Sequence, residues 1–221
     1  MWFKKLFKKN KKTVEYNYEK ELFEKYKGCK NYHFGIKILV FSDTHNNLDL
    51  TEDLIYKIHK FDYDVCLMLG DHSYNDIQSI LQVVPLEKIY GIRGNHDKLD
   101  DLSYCGIPNI HGKVINIKGV KIGALQGSIK YKETTAPLYT QEESLIESSK
   151  LNDIDVLISH DTYFNKETEE PVHDGLKGIT EAIYRNNVSI HIHGHLHMED
   201  EKILLNGCRS IGVYGIKFIE A

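Results

Sequence analysis

The chain has 221 residues, 41% of them hydrophobic and 27% charged, with a formal net charge of −4. That balance suits one α/β domain with a sizeable core and excludes an intrinsically disordered chain. No apolar run approaches the ~20 residues needed to span a bilayer, and the start lacks the apolar stretch and cleavage site of a secretion signal. The four cysteines, Cys29, Cys66, Cys105 and Cys208, are scattered without a Cys-x-x-Cys. Neither a disulfide framework nor a zinc knuckle is expected, and a reducing cytoplasm fits. Residues 1–34 hold ten lysines against four glutamates, about +6, which leaves about −10 for the remainder. An acidic body argues against a broad nucleic-acid-binding face.

In chain order, Trp2, Phe3, Leu6 and Phe7 fall at helical spacing, with Lys4, Lys5, Lys8 and Lys9 on other faces. Residues 1–12 could thus lie on an anionic membrane surface or meet a partner; a solvated tail is the plainer alternative. Val14 to Lys27 reads as a helix ended by Gly28. Residues 1–34 are expected to be a basic extension and 35–221 the domain. Ile36 to Phe41 is a short apolar, β-favouring run, as a strand buried on both faces would be. Leu50 to Phe61 is helical, Asp64 to Leu69 a second buried strand, Asn75 to Val83 helical, and Glu87 to Ile92 a third strand. This alternation predicts βαβ units on a parallel sheet. Val114–Ile117 and Val120–Leu125, joined through Lys118-Gly119, read as a hairpin. Gln126 to Thr140 reads as a loop lining a site. A helix over 141–150, a strand over 154–159, a helix over 175–185 and a strand over 188–192 follow. Residues 202–205, 208–213 and 215–219 read as a closing antiparallel meander.

The chemistry lies where the strands stop. Asp43 and His45 follow the first, Asp71 the second, Asn95 and His96 the third, His160 the strand over 154–159, and His195 and His197 the last before the meander. In open α/β sheets, that edge is where ligands bind. Mixed Asp, His and Asn donors suit borderline divalent ions: manganese, iron, zinc or nickel, with manganese favoured. Seven donors are too many for one tetrahedral site and suit two ions sharing a carboxylate.

Asp43-Thr-His45, Gly70-Asp71, Gly94-Asn95-His96-Asp97, Ser159-His160 and Gly194-His195-Leu-His197 resemble, in order, the motifs of the calcineurin-like metallophosphoesterase superfamily. The resemblance covers about residues 36–197. It implies a two-sheet sandwich flanked by helices, four α/β/β/α layers, with a dinuclear centre at the strand ends. Asp43, His45 and His197 would hold one ion, Asn95, His160 and His195 the other, and Asp71 would bridge them. A metal-bridging hydroxide would attack a phosphodiester in line, the substrate being a small nucleotide or similar. His96 would face the substrate and protonate the departing alkoxide. Asp97 and Asp161 would orient His96 and His160 from behind. The alternatives are a phosphomonoesterase or protein phosphatase, a nuclease, or a metal-binding scaffold without catalysis. Tyr74 stands where many members carry an Asp, which weakens the protein-phosphatase reading.

The remaining candidates read more plainly. His191 and His193 alternate on a strand and are expected to pack or to hydrogen-bond behind the site. His72 reads as solvent-facing, and His33, His59 and His111 as surface residues. His173 lies in a long loop within possible reach of the site. Arg93, Lys130 and Tyr131 are expected to be solvated.

Overall fold

The computed structural model describes residues 18–28, 34–98, 101–165 and 173–221. Residues 18–26 form a helix, α1. Then follow β1 (Lys37–Ser42), α2 (Glu52–Phe61), β2 (Val65–Met68), α3 (Tyr74–Val83), a 3-10 turn (Leu86–Lys88), β3 (Ile89–Gly91) and α4 (Asp101–Tyr104). The second half holds β4 (Val114–Ile117), β5 (Val120–Leu125), β6 (Ser128–Ile129), β7 (Leu138–Tyr139), α5 (Gln141–Ser148) and β8 (Val156–Ser159). It ends with α6 (Lys177–Asn186), β9 (Ile190–His193), β10 (Glu201–Ile203), β11 (Arg209–Gly212) and β12 (Gly215–Glu220).

One sheet has the order β12-β1-β2-β3 and the other β10-β11-β9-β8-β5-β4. In the first, β1, β2 and β3 run parallel and β12 is antiparallel to β1. In the second, β5, β8, β9 and β11 run parallel. The parallel strands need apolar residues on both faces, and their sequences provide them. Ile38, Val40, Val65, Leu67, Ile122, Ala124, Val156, Ile158, Ile192 and Ile211 meet in the core between the sheets. Their neighbours point outward: Leu39, Phe41, Cys66 and Met68 pack with Ile58, Ile77 and Ile80 of α2 and α3. Leu157 packs with Ile179, Ala182 and Ile183 of α6. The result is four layers, helix, sheet, sheet and helix.

Local chemistry starts the helices where they are needed. Thr51 caps α2 by accepting from Leu54 N, and Ser73 with Asp76 forms a reciprocal capping box on α3. Thr140 with Glu143 does the same on α5. These caps satisfy N–H groups that a helix cannot satisfy itself.

The structure departs from the sequence reading in places. The last three strands are not a meander: β10 pairs antiparallel with β11, but β11 pairs parallel with β9, and β12 crosses to the other sheet. Burial decides this, because Ser210, Ile211 and Gly212 are covered on both faces and Val213 follows in the core. The 126–140 loop also holds the short parallel pair β6 and β7. Within the stretch read as an extension, α1 packs on the domain: Leu22 is buried, and Tyr184 Oη donates to Glu19 Oε1 at 2.5 Å. Residues 1–12, with their basic amphipathic pattern, and His33 lie outside the described residues. Among the described residues, no helix is long and apolar enough to cross a membrane.

Candidate metal centre

The C-terminal ends of β1, β2, β3, β8 and β9 meet along one edge of the two sheets. Backbone bonds tie neighbouring loops together there: Asp43 N donates to Gly70 O at 3.0 Å, and His45 N to Asp71 O at 3.1 Å. Bonds also cross between the sheets, among them the Gly127 N to Arg93 O bond at 2.8 Å and two at the donor residues. His160 Nδ1 donates to Leu69 O at 2.9 Å, and His195 N to Asp43 Oδ2 at 3.0 Å.

Five of the seven candidate donors, Asp43, His45, Asp71, His195 and His197, have positive φ. Such backbone costs of order 1–3 kcal/mol per residue and persists where surrounding bonds over-determine it. Here it turns successive side chains inward. Glycines make room for them. A Cβ on Gly94 would collide with Asp71 Oδ1, and one on Gly194 with Ser42 Oγ and Asp43 Oδ2. Close approach, rather than a tight turn, is what these two positions require.

The side chains converge. Asp43, His45 and His197 place one donor atom each within 4.8 Å of one another, as do Asp43, Asp71 and His160. His45 Nε2 and His197 Nε2 are 3.0 Å apart, and His197 Nε2 is 3.4 Å from Asp43 Oδ1. Asp71 Oδ2 lies 3.8 Å from His45 Nε2 and 3.6 Å from His160 Nε2, between the two groups. Asn95 joins the second group through Oδ1, 2.8 Å from His160 Nε2. The His195 ring packs against His160, 5.1 Å between centroids, and joins neither triplet. His173 reaches the site, its ring 5.4 Å from that of His195.

Whether these residues fit a cation is decided by their lone pairs. Asp43 Oδ2 accepts from Ser42 Oγ and His195 N, and Asp71 Oδ1 accepts from His96 N. The other oxygens, Asp43 Oδ1 and Asp71 Oδ2, are buried with no hydrogen-bond partner among the described residues. Asn95 Nδ2 donates to Tyr131 Oη at 3.3 Å, so Oδ1 is the atom turned to His160. Because the His160 Nδ1 proton is committed to a carbonyl, the facing pair at 2.8 Å is two acceptors unless a positive charge lies between or upon them. Burial opposes charge on His160, but Asp71, Asp43, Asp97 and Asp161 outweigh it and raise its pKa. Burial likewise pushes the Asp43 carboxyl up, while His160, Ser42, His195 N–H and His197 bring it below the usual range. Buried unpaired oxygens in a strongly negative pocket fit divalent cations.

The supporting residues act on backbone. Asp97 accepts from Gly94 N at 2.7 Å, Asp71 N at 2.9 Å and His72 N at 2.9 Å. It therefore fastens the Asp71 loop to the Asn95 loop rather than touching the His96 ring. Burial and the Asp71 charge push its carboxyl up to about 6. Asp161 accepts from Ile129 N and Thr162 N and so holds the 126–140 loop, while Leu69 O orients His160. His96 is exposed, its ring 5.6 Å from His45 and edge-on.

Several residues play parts the sequence reading missed. Asp76 accepts from Thr44 Oγ1, Asn46 N, Ser73 N and Leu48 N, locking the loop that carries Asp43 and His45. The Ser73-x-x-Asp76 spacing was the available signal. His72 is buried, not solvent-facing. Thr44 spends its proton on Asp76, so His72 Nδ1 donates to Thr44 Oγ1. His111 is likewise no surface residue: Gln126 N donates to its Nδ1, and its Nε2 lies 3.2 Å from Glu147 Oε2. Arg93 is half-buried, with Nε donating to Gln126 Oε1. His191 and His193, by contrast, are as expected: buried and stacked, with His191 bonded to Ser159 and Ser210.

Comparison with known proteins adds a family. The family model for the calcineurin-like phosphoesterase superfamily domain matches residues 36–207. Among solved structures, TT1561 of Thermus thermophilus is similar with a TM-score of 0.61 and 13% identity, covering 84% of this chain and 98% of that one. Vps29 of Entamoeba histolytica, solved with zinc, gives a TM-score of 0.45 and 13% identity over 81% and 74% of the two chains. A predicted phosphoesterase of Streptococcus pneumoniae gives 0.39 and 16% over 81% and 72%. At these identities the likeness speaks for the fold alone. No curated protein matches the chain.

Proposed function

Since the chain belongs to the calcineurin-like phosphoesterase superfamily, we propose that it is a metal-dependent phosphodiesterase acting on small nucleotide-like diesters. The observation that carries this is the inward-facing set of lone pairs, Asp43 Oδ1, Asp71 Oδ2 and Asn95 Oδ1 with the Nε2 atoms of His45, His160 and His197, beside an open-faced His96. Asp43, His45 and His197 would hold one divalent ion and Asn95 and His160 the other, with His195 beside them and Asp71 between. Manganese is the favoured ion. Such a pair of ions supplies the positive charge that acidifies a water and neutralises phosphate oxygens.

The chain's own residues do the rest. Asp71 Oδ1 holds His96 N at 2.8 Å, which fixes the His96 backbone at the rim of the centre. From there the exposed imidazole donates a proton to the departing alkoxide oxygen. Asp97 and Asp76 hold the two loops so that the donors do not reorganise as charge builds on the phosphate. The test is a screen of manganese-, iron-, zinc- and nickel-loaded protein on bis-aryl and mono-aryl phosphates. Faster turnover of the bis-aryl substrate is expected; preference for the mono-aryl phosphate would make the chain a monoesterase, and no turnover with any metal would leave a scaffold.

A further inference from the structure

Tyr214 lies where the chain crosses between the sheets at the site edge, next to Gly215, which pairs with Ser42. Its ring stacks on His197, 5.2 Å between centroids and 25° between planes. It is nevertheless 47% exposed, and Met198 beside His197 is 51% exposed. The Tyr214 hydroxyl has no hydrogen-bond partner among the described residues, and its ring meets no second aromatic ring there. Across the centre, Tyr131 is 40% exposed and touches Asn95 through its hydroxyl. Two aromatic side chains thus stand at the outer walls of the two donor groups.

We propose that Tyr214 is a stacking platform for a planar group on the substrate, so that the site takes phosphoesters bearing a nucleobase or aryl ring. This rests on the phosphodiesterase reading and narrows its substrate class. A phosphate seated between the donor groups has one flank toward His197 and Tyr214 and the other toward Asn95 and Tyr131. A planar substituent leaving along the first flank meets the open face of a ring whose other face is already braced by His197. Base-on-aromatic stacking is sequence-tolerant and worth about 5- to 150-fold in affinity. A purely supportive role, holding the His197 ring in place, predicts something different: every ligand and the metal would weaken together.

The test uses the full chain loaded with manganese and two unhydrolysable probes with the same charged head, phenylphosphonate and methylphosphonate, titrated by calorimetry. The wild-type protein is expected to bind the phenyl probe at least about fivefold more tightly. Tyr214→Ala should bring the two affinities close together by weakening only the phenyl probe, with manganese affinity unchanged. Tyr214→Phe and Tyr214→Trp should keep the preference. An unchanged preference in Tyr214→Ala, or equal loss for both probes and the metal, overturns the proposal. Because binding is read without turnover, a protein that hydrolyses no diester would refute the phosphodiesterase reading while the stacking result still stands or falls by itself.

Discussion

Single residues decide whether donor atoms can meet, and glycine is the clearest case. Gly194 must stay without a Cβ because Ser42 Oγ and Asp43 Oδ2 occupy that space. Gly194→Ala should displace Asp43 and weaken manganese binding by about 10- to 100-fold, measured by titration, with far-ultraviolet circular dichroism unchanged. His96→Ala should lower kcat by about 10²- to 10⁴-fold with metal content unchanged, if His96 serves as the proposed proton donor and not as a ligand. His72 gives a pH dependence. Burial brings its pKa down to about 4, against the partial opposition of Asp43, Asp71 and Asp76. The unfolded chain takes a proton near pH 6.5 that the native protein refuses until about 4, so stability is full above 6.5 and falls on acidification across that window. The loss is about 3 kcal/mol for this group. Urea denaturation between pH 7 and 4.5 should show the slope, and His72→Asn, which keeps a donor toward Thr44, should flatten it. The candidate donors were visible in the sequence, because each follows a buried strand. The inward turn was not, since positive φ at Asp43, His45, Asp71, His195 and His197 is set by contacts between loops far apart in the chain.

At the scale of elements, the helices and central strands show themselves through local pattern and caps. Residues 52–61 and 74–83 carry both apolar spacing and a cap, and the hairpin over 114–125 carries its Gly119 turn. The final strands do not show themselves in this way. Short apolar runs separated by Gly suit a meander as well as a crossover, and only packing against β9 and β1 selects the second. The strands that carry His160 and His195 also carry the core, so they need strong anchoring. Ile158 is fully buried between the sheets two residues before His160. Ile158→Ala should cost about 2–5 kcal/mol in urea denaturation, with metal affinity less affected than in Gly194→Ala.

For the molecule as a whole, the architecture places β1, β2 and β3 of one sheet and β8 and β9 of the other around one negative pocket. Cations bound only by the native arrangement stabilise it by mass action. At a free manganese concentration one hundred times the dissociation constant, each site adds about 2.7 kcal/mol. Removing manganese with a chelator should therefore lower Tm by about 5–10 °C per site, read by calorimetry. Two of the bonds that cross between the layers, His160 to Leu69 and His195 to Asp43, have a mechanical meaning. One layer cannot slide over the other without tearing the pocket open, so an ion held there works as a rivet through both. Amide exchange along that seam, at residues 69–71 and 194–195, should then quicken once the rivet is drawn, while the strand centres farther from the edge keep their protection.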